Sequence, residues 1–127
     1  MNENEIGRIV VDVAVNLHKE IGPGLLESVY EKLLAFELKS RGLKIRQQVA
    51  IPIIYKGIKF DEGFRADIIV EDLVILEVKS VESASKAHKK QTLTYLKLSH
   101  KRLAYLLNFG DHLMKDGITR LINGKIE

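Results

Sequence analysis

Apolar residues at Ile6, Ile9, Val10, Val13, Ala14, Leu17 and Ile21 recur at helical spacing and predict an amphipathic first helix. Asn4 is its expected N-cap, and Gly22-Pro23-Gly24 is the punctuation that ends it. A second helix is predicted from Leu25 to Ser40, closed by Gly42. Its expected buried stripe is Leu26, Val29, Tyr30, Leu33 and either Phe36 or Leu34. Glu27 then falls on the flank of the apolar arc and Glu37 nearly in its middle. Glu37 is expected to be a structural acid paired with Arg46 or Arg41.

The pattern then changes to strands. Lys44 to Tyr55 reads as one, with Pro52 marking an edge or a bend. Lys56-Gly57 makes the turn into a second strand, Ile58 to Val70, with an interruption near Asp61-Glu62-Gly63. Leu73 to Ser80 is a third strand. Ala84 to Leu98 reads as a helix whose seam, Ala84, His88, Gln91, Tyr95 and Leu98, is expected to face the sheet. Leu103 to Phe109 is a strongly apolar strand closed by Gly110, and Gly117 to Ile122 a short edge strand. There is no internal repeat, linker or low-complexity segment.

The most informative residues lie on the second and third strands: Asp67, then Glu77-Val78-Lys79. Strands this apolar belong in the middle of a sheet, and charges at their ends need partners or a cation. Asp67 lies opposite Glu77 only if Val70 pairs with Val74, which leaves a three-residue loop of Glu71, Asp72 and Leu73. A loop one residue shorter puts the two acids on opposite faces. The three-residue loop wants one residue in the left-handed region, and without a glycine Asp72 is the best candidate. Two acids and an amine meeting there could hold a divalent metal beside an activated water. The alternative is a plain strand-end ion pair between Glu77 and Lys79.

Composition narrows the classes. The chain has 127 residues, with 46% hydrophobic and 29% charged, which suits one domain spanning 1–127 with a single core. The absence of cysteine excludes disulfides and thiolate zinc sites and fits the cytoplasm. The acidic, polar start is wrong for a signal peptide, and no apolar run approaches the roughly 20 residues that span a bilayer. Net charge is only +3. From Ser83 through Gly110, however, no acid occurs among Lys86, Lys89, Lys90, Lys97, Lys101 and Arg102. That stretch either attracts phosphates or is a solvated face balanced by acids elsewhere.

Taken in order, Glu27, Asp67, Glu77-x-Lys79 and Gln91 resemble the site of a PD-(D/E)XK nuclease-superfamily domain. More closely, the chain resembles the small GxxExxY family, through Gly24-Leu25-Leu26-Glu27-Ser28-Val29-Tyr30 and the lead-in His18-Lys19-Glu20-Ile21-Gly22-Pro23. Tyr55-Lys56-Gly57, Arg65-Ala66-Asp67, Gln91-Thr92-Leu93-Thr94-Tyr95-Leu96 and Leu107-Asn108-Phe109-Gly110 also fit that pattern. Ala66 stands where the superfamily name has proline, a position known to vary.

The resemblance implies an α/β fold: a central mixed β-sheet flanked by helices, with an α-β-β-β-α-β core and an extra N-terminal helix. It implies a metal-dependent hydrolase acting on phosphodiester bonds in DNA or RNA, with Mg²⁺ or Mn²⁺ as cofactor. Asp67, Glu77, Glu27 and the Val78 backbone carbonyl would be metal ligands. Lys79 would position or deprotonate the attacking water, and Gln91 would orient the water or the phosphate. Lys86, Lys89, Lys90 and Tyr95 would bind nucleic acid. His18 is a further candidate for the site, against an ordinary structural role. Nucleic acid is the implied partner, no membrane is involved, and a homodimer or larger complex is left open. The competing reading is a non-catalytic nucleic-acid-binding module or protein-interaction domain that keeps the fold.

Overall fold

The computed structural model describes residues 1–126, with residue 62 described by its backbone only. Its elements are α1 (Glu3–Ile21), α2 (Glu27–Ser40), β1 (Ile45–Tyr55), β2 (Ile58–Val70), β3 (Val74–Lys79), α3 (Lys86–Ser99), β4 (Leu103–Asn108), α4 (Met114–Gly117) and β5 (Ile118–Ile122). The expected order α-β-β-β-α-β follows the N-terminal helix. The five strands lie in chain order, and only the β3–β4 pair is parallel. A parallel pair needs a crossover connection, and α3 supplies it.

Two apolar layers cover the sheet. On one face α1 and α2 bury Ile6, Val10, Leu17, Tyr30, Leu34 and Leu38 against Ile68, Val70, Leu76 and Leu107. On the other, Tyr95 and Leu96 of α3 pack on Ile51, Ile69, Ile75 and Ala104. β3 and β4 are covered on both sides, as their unbroken apolar sequence requires.

Several expectations change in detail. Asn2, not Asn4, caps α1, and it forms a reciprocal capping box with Glu5. The buried residues of α2 are Tyr30, Glu31, Leu34, Ala35 and Leu38, while Leu26, Val29 and Phe36 are exposed. The helix is therefore rotated relative to the predicted stripe. Glu37 is exposed; Arg41 pairs with Asp12 and Arg46 with Asp72 instead. On α3 the buried residues are Thr92, Tyr95 and Leu96, and Gln91 is exposed. Thr92 avoids an unpaired hydroxyl by donating to the His88 carbonyl.

The β1–β2 hairpin outruns the sheet. β3 pairs with β2 only at residues 68–70, so the outer part of the hairpin is a two-stranded arm. Its register shifts between Ile51 and Ile53, where Pro52 predicts a bend on an edge strand. Ile54, Tyr55, Ile58 and Phe60 of the arm are exposed.

Candidate active site

The β2–β3 turn sets the site. Val70 pairs with Val74, so Glu71, Asp72 and Leu73 form the three-residue loop that brings Asp67 opposite Glu77. Both Glu71 and Asp72 take positive φ, +52° and +56°, rather than Asp72 alone. The Lys44 backbone N–H donates to the Glu71 carboxylate, and Arg46 and Lys101 hold Asp72. The Lys101 charge, then the Arg46 and Lys101 hydrogen bonds, lower the pKa of Asp72.

The β2–β3 ladder ends at Ile68 and Leu76. One step further, the Asp67 carboxylate enters the gap and its Oδ2 accepts from the Val78 N–H at 2.8 Å. A side chain thus replaces a backbone acceptor, which fixes Asp67 against β3. Glu77 is 5% exposed, and its Oε1 is a buried oxygen with no hydrogen-bond partner. Burial, reinforced by the Asp67 charge, pushes its pKa up to about 9, against a smaller lowering by Lys79. Tyr95 stands over the same pair. Its pKa is raised by burial and then by the charges of Glu77 and Asp67, and its ring stacks on Phe64 at 3.7 Å.

The glycine-to-tyrosine motif shapes the rim. Gly24 has φ +117°, a conformation that favours glycine. Tyr30 is fully buried and stacks on Phe109 at 4.5 Å. Its hydroxyl accepts from the Leu25 N–H and donates to the Gly22 carbonyl. Ser80, just past β3, donates to the Leu25 carbonyl at 2.6 Å. These bonds fasten the start of α2 to the end of β3 that carries Glu77 and Lys79. Glu27 is the first residue of α2 and is exposed. The expected convergence of three carboxyls is met by two: Asp67 and Glu77 come together. Among the described residues, no three acids or histidines group closely enough to hold a metal ion.

The other candidates divide. Lys79 ends β3 half-buried, and its charge acts on Glu77. Val78 offers its N–H to Asp67, so the backbone contact seen here is the amide and not the carbonyl. Lys86, Lys89 and Lys90 are exposed in the first turns of α3 and enter no ion pair among the described residues. Lys101 and Arg102, from the same basic stretch, are occupied by Asp72 and Glu3. His18 is buried; its Nε2 contacts the Asp111 carbonyl at 2.8 Å, and its ring stacks beside Phe109. That is a structural engagement and not one with the acid pair.

Asn108 is a second structural device. Its Oδ1 accepts from the Val81 and Gly110 N–H groups, and its Nδ2 donates to the Val81 carbonyl and Asp111 Oδ2. It pins the segment leading from Lys79 toward α3. A Cβ on Gly110 would meet the Val81 carbonyl oxygen at 1.9 Å, which accounts for the glycine in Asn108-Phe109-Gly110.

Two residues missed by sequence reasoning adjoin the acid pair. Glu31, one turn into α2 from Glu27, is 8% exposed and accepts from Gln47 Nε2 at 3.0 Å and Gln48 Nε2 at 2.7 Å. Gln48 Nε2 also lies 3.4 Å from Asp67 Oδ1. The available signal was the spacing of Tyr30, Leu34, Ala35 and Leu38, which places Glu31 inside the buried arc, between Leu38 and Ala35.

The family model that matches is described as the PD-(D/E)XK nuclease superfamily, and it covers residues 4–121. No curated protein and no solved structure matches the chain.

Proposed function

The chain belongs to the PD-(D/E)XK nuclease superfamily, and from that premise we propose that it is a metal-dependent nuclease of GxxExxY type that hydrolyses phosphodiester bonds in DNA or RNA. The observation that carries this reading is the buried, unpartnered Glu77 Oε1 beside Asp67. Two carboxylates forced together either share a proton or bind a cation, and an oxygen-only donor pair suits a hard ion such as Mg²⁺ or Mn²⁺. Such an ion would supply a water of lowered pKa and neutralise phosphate charge.

The chain's own groups take the remaining roles. Asp67 and Glu77 would hold the ion, and the Val78 carbonyl is a further oxygen at the same strand end. Lys79 would orient the water, or take its proton, and support the charge that develops on the phosphate as the P–O bond breaks. Tyr95 would contact the substrate from α3. Gln91, exposed on the same helix, would reach the phosphate, and Glu27 would act from the rim. Lys86, Lys89 and Lys90 sit where the helix dipole disfavours cations, an arrangement that a bound phosphate backbone offsets. No described helix is long and apolar enough to cross a membrane.

The direct test is cleavage of single-stranded, double-stranded and flap DNA and of RNA, at low salt with Mn²⁺. A wild type that neither binds nor cuts any of them overturns the proposal. Charge reversal at Lys86, Lys89 and Lys90 should weaken binding across unrelated sequences. With three phosphate contacts removed, the slope of log K against log salt should flatten by about 3 for a duplex. An unchanged slope would remove these lysines from the interface.

The exposed arm favours a second reading, a protein-interaction role exercised through Ile54, Tyr55, Ile58 and Phe60. A homodimer built on that surface should dissociate in Phe60→Lys, as read by sedimentation velocity. A monomeric wild type would exclude self-association through the arm.

A further inference from the structure

We infer that Glu31 and Gln48 are positioning residues for the metal-binding carboxylate Asp67, a role that rests on the nuclease reading above. Gln48 lies within β1, between Gln47, which pairs with Ile68, and Val49, which pairs with Ala66. It therefore stands opposite Asp67. Its φ is +51°, in the left-handed region. Strand interiors have no use for that conformation, and glutamine is not among the side chains that visit it readily. The departure has a visible consequence. Consecutive strand side chains normally point to opposite faces. Here Gln47 and Gln48 both reach one carboxylate, that of Glu31.

The orientation of the Gln48 amide follows from its surroundings. Its NH₂ group lies between Glu31 Oε1 at 2.7 Å and Asp67 Oδ1 at 3.4 Å. The flipped amide would set its oxygen against two carboxylates, so only the donor orientation is favourable. Glu31 forms no salt bridge among the described residues, and the two glutamine amides are its hydrogen-bond donors. The Gln48 backbone carbonyl accepts in turn from the Arg65 guanidinium at 3.1 Å. Asp67 is thus gripped at both oxygens: Oδ2 by the Val78 N–H, and Oδ1 by an amide that Glu31 anchors from α2.

An unfavourable backbone conformation maintained beside a site points to a role in that site. Positioning of this kind acts on metal affinity, where loss of an outer partner typically costs 10- to 100-fold. The test uses Gln48→Gly and Glu31→Gln in the full chain, with Mn²⁺ binding measured by titration calorimetry. Gln48→Gly relieves the positive φ but leaves the buried Glu31 Oε1 without its donor, so the two effects offset and thermal stability should stay near that of the wild type. Mn²⁺ affinity should nonetheless fall about 10-fold or more in both variants. A residue with only a structural role would lower the melting temperature and leave affinity intact. Wild-type Mn²⁺ affinity in both variants would overturn the inference while leaving the metal site standing. A wild type that binds no Mn²⁺ would overturn the metal site and the inference together.

Discussion

Lys79→Ala should lower cleavage by about 100- to 1,000-fold, the usual effect of removing a single group that stabilises transition-state charge. Nucleic-acid affinity should stay close to that of the wild type. Lys79 closes β3 at the end where Asp67 and Glu77 meet, whereas the exposed lysines of α3 lie on a separate element. Removing an interaction made with the reacting phosphate alone is expected to lower kcat and kcat/KM equally. Single-turnover cleavage and fluorescence anisotropy on the same substrate make the comparison. A variant that loses affinity and cleavage in proportion would move Lys79 from chemistry to binding. One that cuts at the wild-type rate would leave the water to be oriented by another group.

Glu77→Gln should change the pH dependence of stability in the metal-free protein. Burial and the Asp67 charge raise the Glu77 pKa from 4.5 to about 9. Between those values the folded chain keeps a proton that the unfolded chain has released. Stability therefore falls as pH rises through that window, by about 1.4 kcal/mol per pH unit at the steepest, and levels off above about 9. Glutamine mimics the protonated acid and does not titrate. At about 3 °C per kcal/mol, the variant should gain roughly 10 °C on the wild type between pH 5 and pH 8. Parallel melting curves would mean that Glu77 is already ionised in the folded protein. Adding Mn²⁺ should raise the wild-type melting temperature by mass action and do far less for the variant. Equal shifts would mark a non-specific ion effect.

Both experiments act on a strand-end cluster that was legible in the sequence for a simple reason. Strand side chains alternate and a hairpin loop has an integer length, so the spacing of Asp67 and Glu77 could be tested against a register. The structure keeps that register and the three-residue loop. The order of elements was legible too, because apolar β3 and β4 and amphipathic α1 carry distinct periodicities. So was the β1 irregularity, through Pro52.

What the tertiary structure decided is which way each helix turns and which polar groups meet. Helix α2 carries apolar residues around much of its circumference, so hydrophobicity alone did not fix its buried face. Packing chose Tyr30, Leu34 and Leu38, drew Glu31 inward and left Leu26 and Phe36 in water. The Tyr30 hydroxyl sets that phase by tying the Gly22–Leu25 turn, a contact no periodicity encodes. Likewise Gln91 faces solvent while its neighbour Thr92 is buried, a rotation of α3 that the spacing of its polar residues left open. His18 was ambiguous because a histidine near a motif can ligate or pack, and the Asp111 carbonyl decided for packing. The left-handed Gln48 had no sequence signal, since no glycine or asparagine marks it. Its backbone is set by two carboxylates brought together from α2 and β2, so the determinant lies in the assembled fold and not in the local chain.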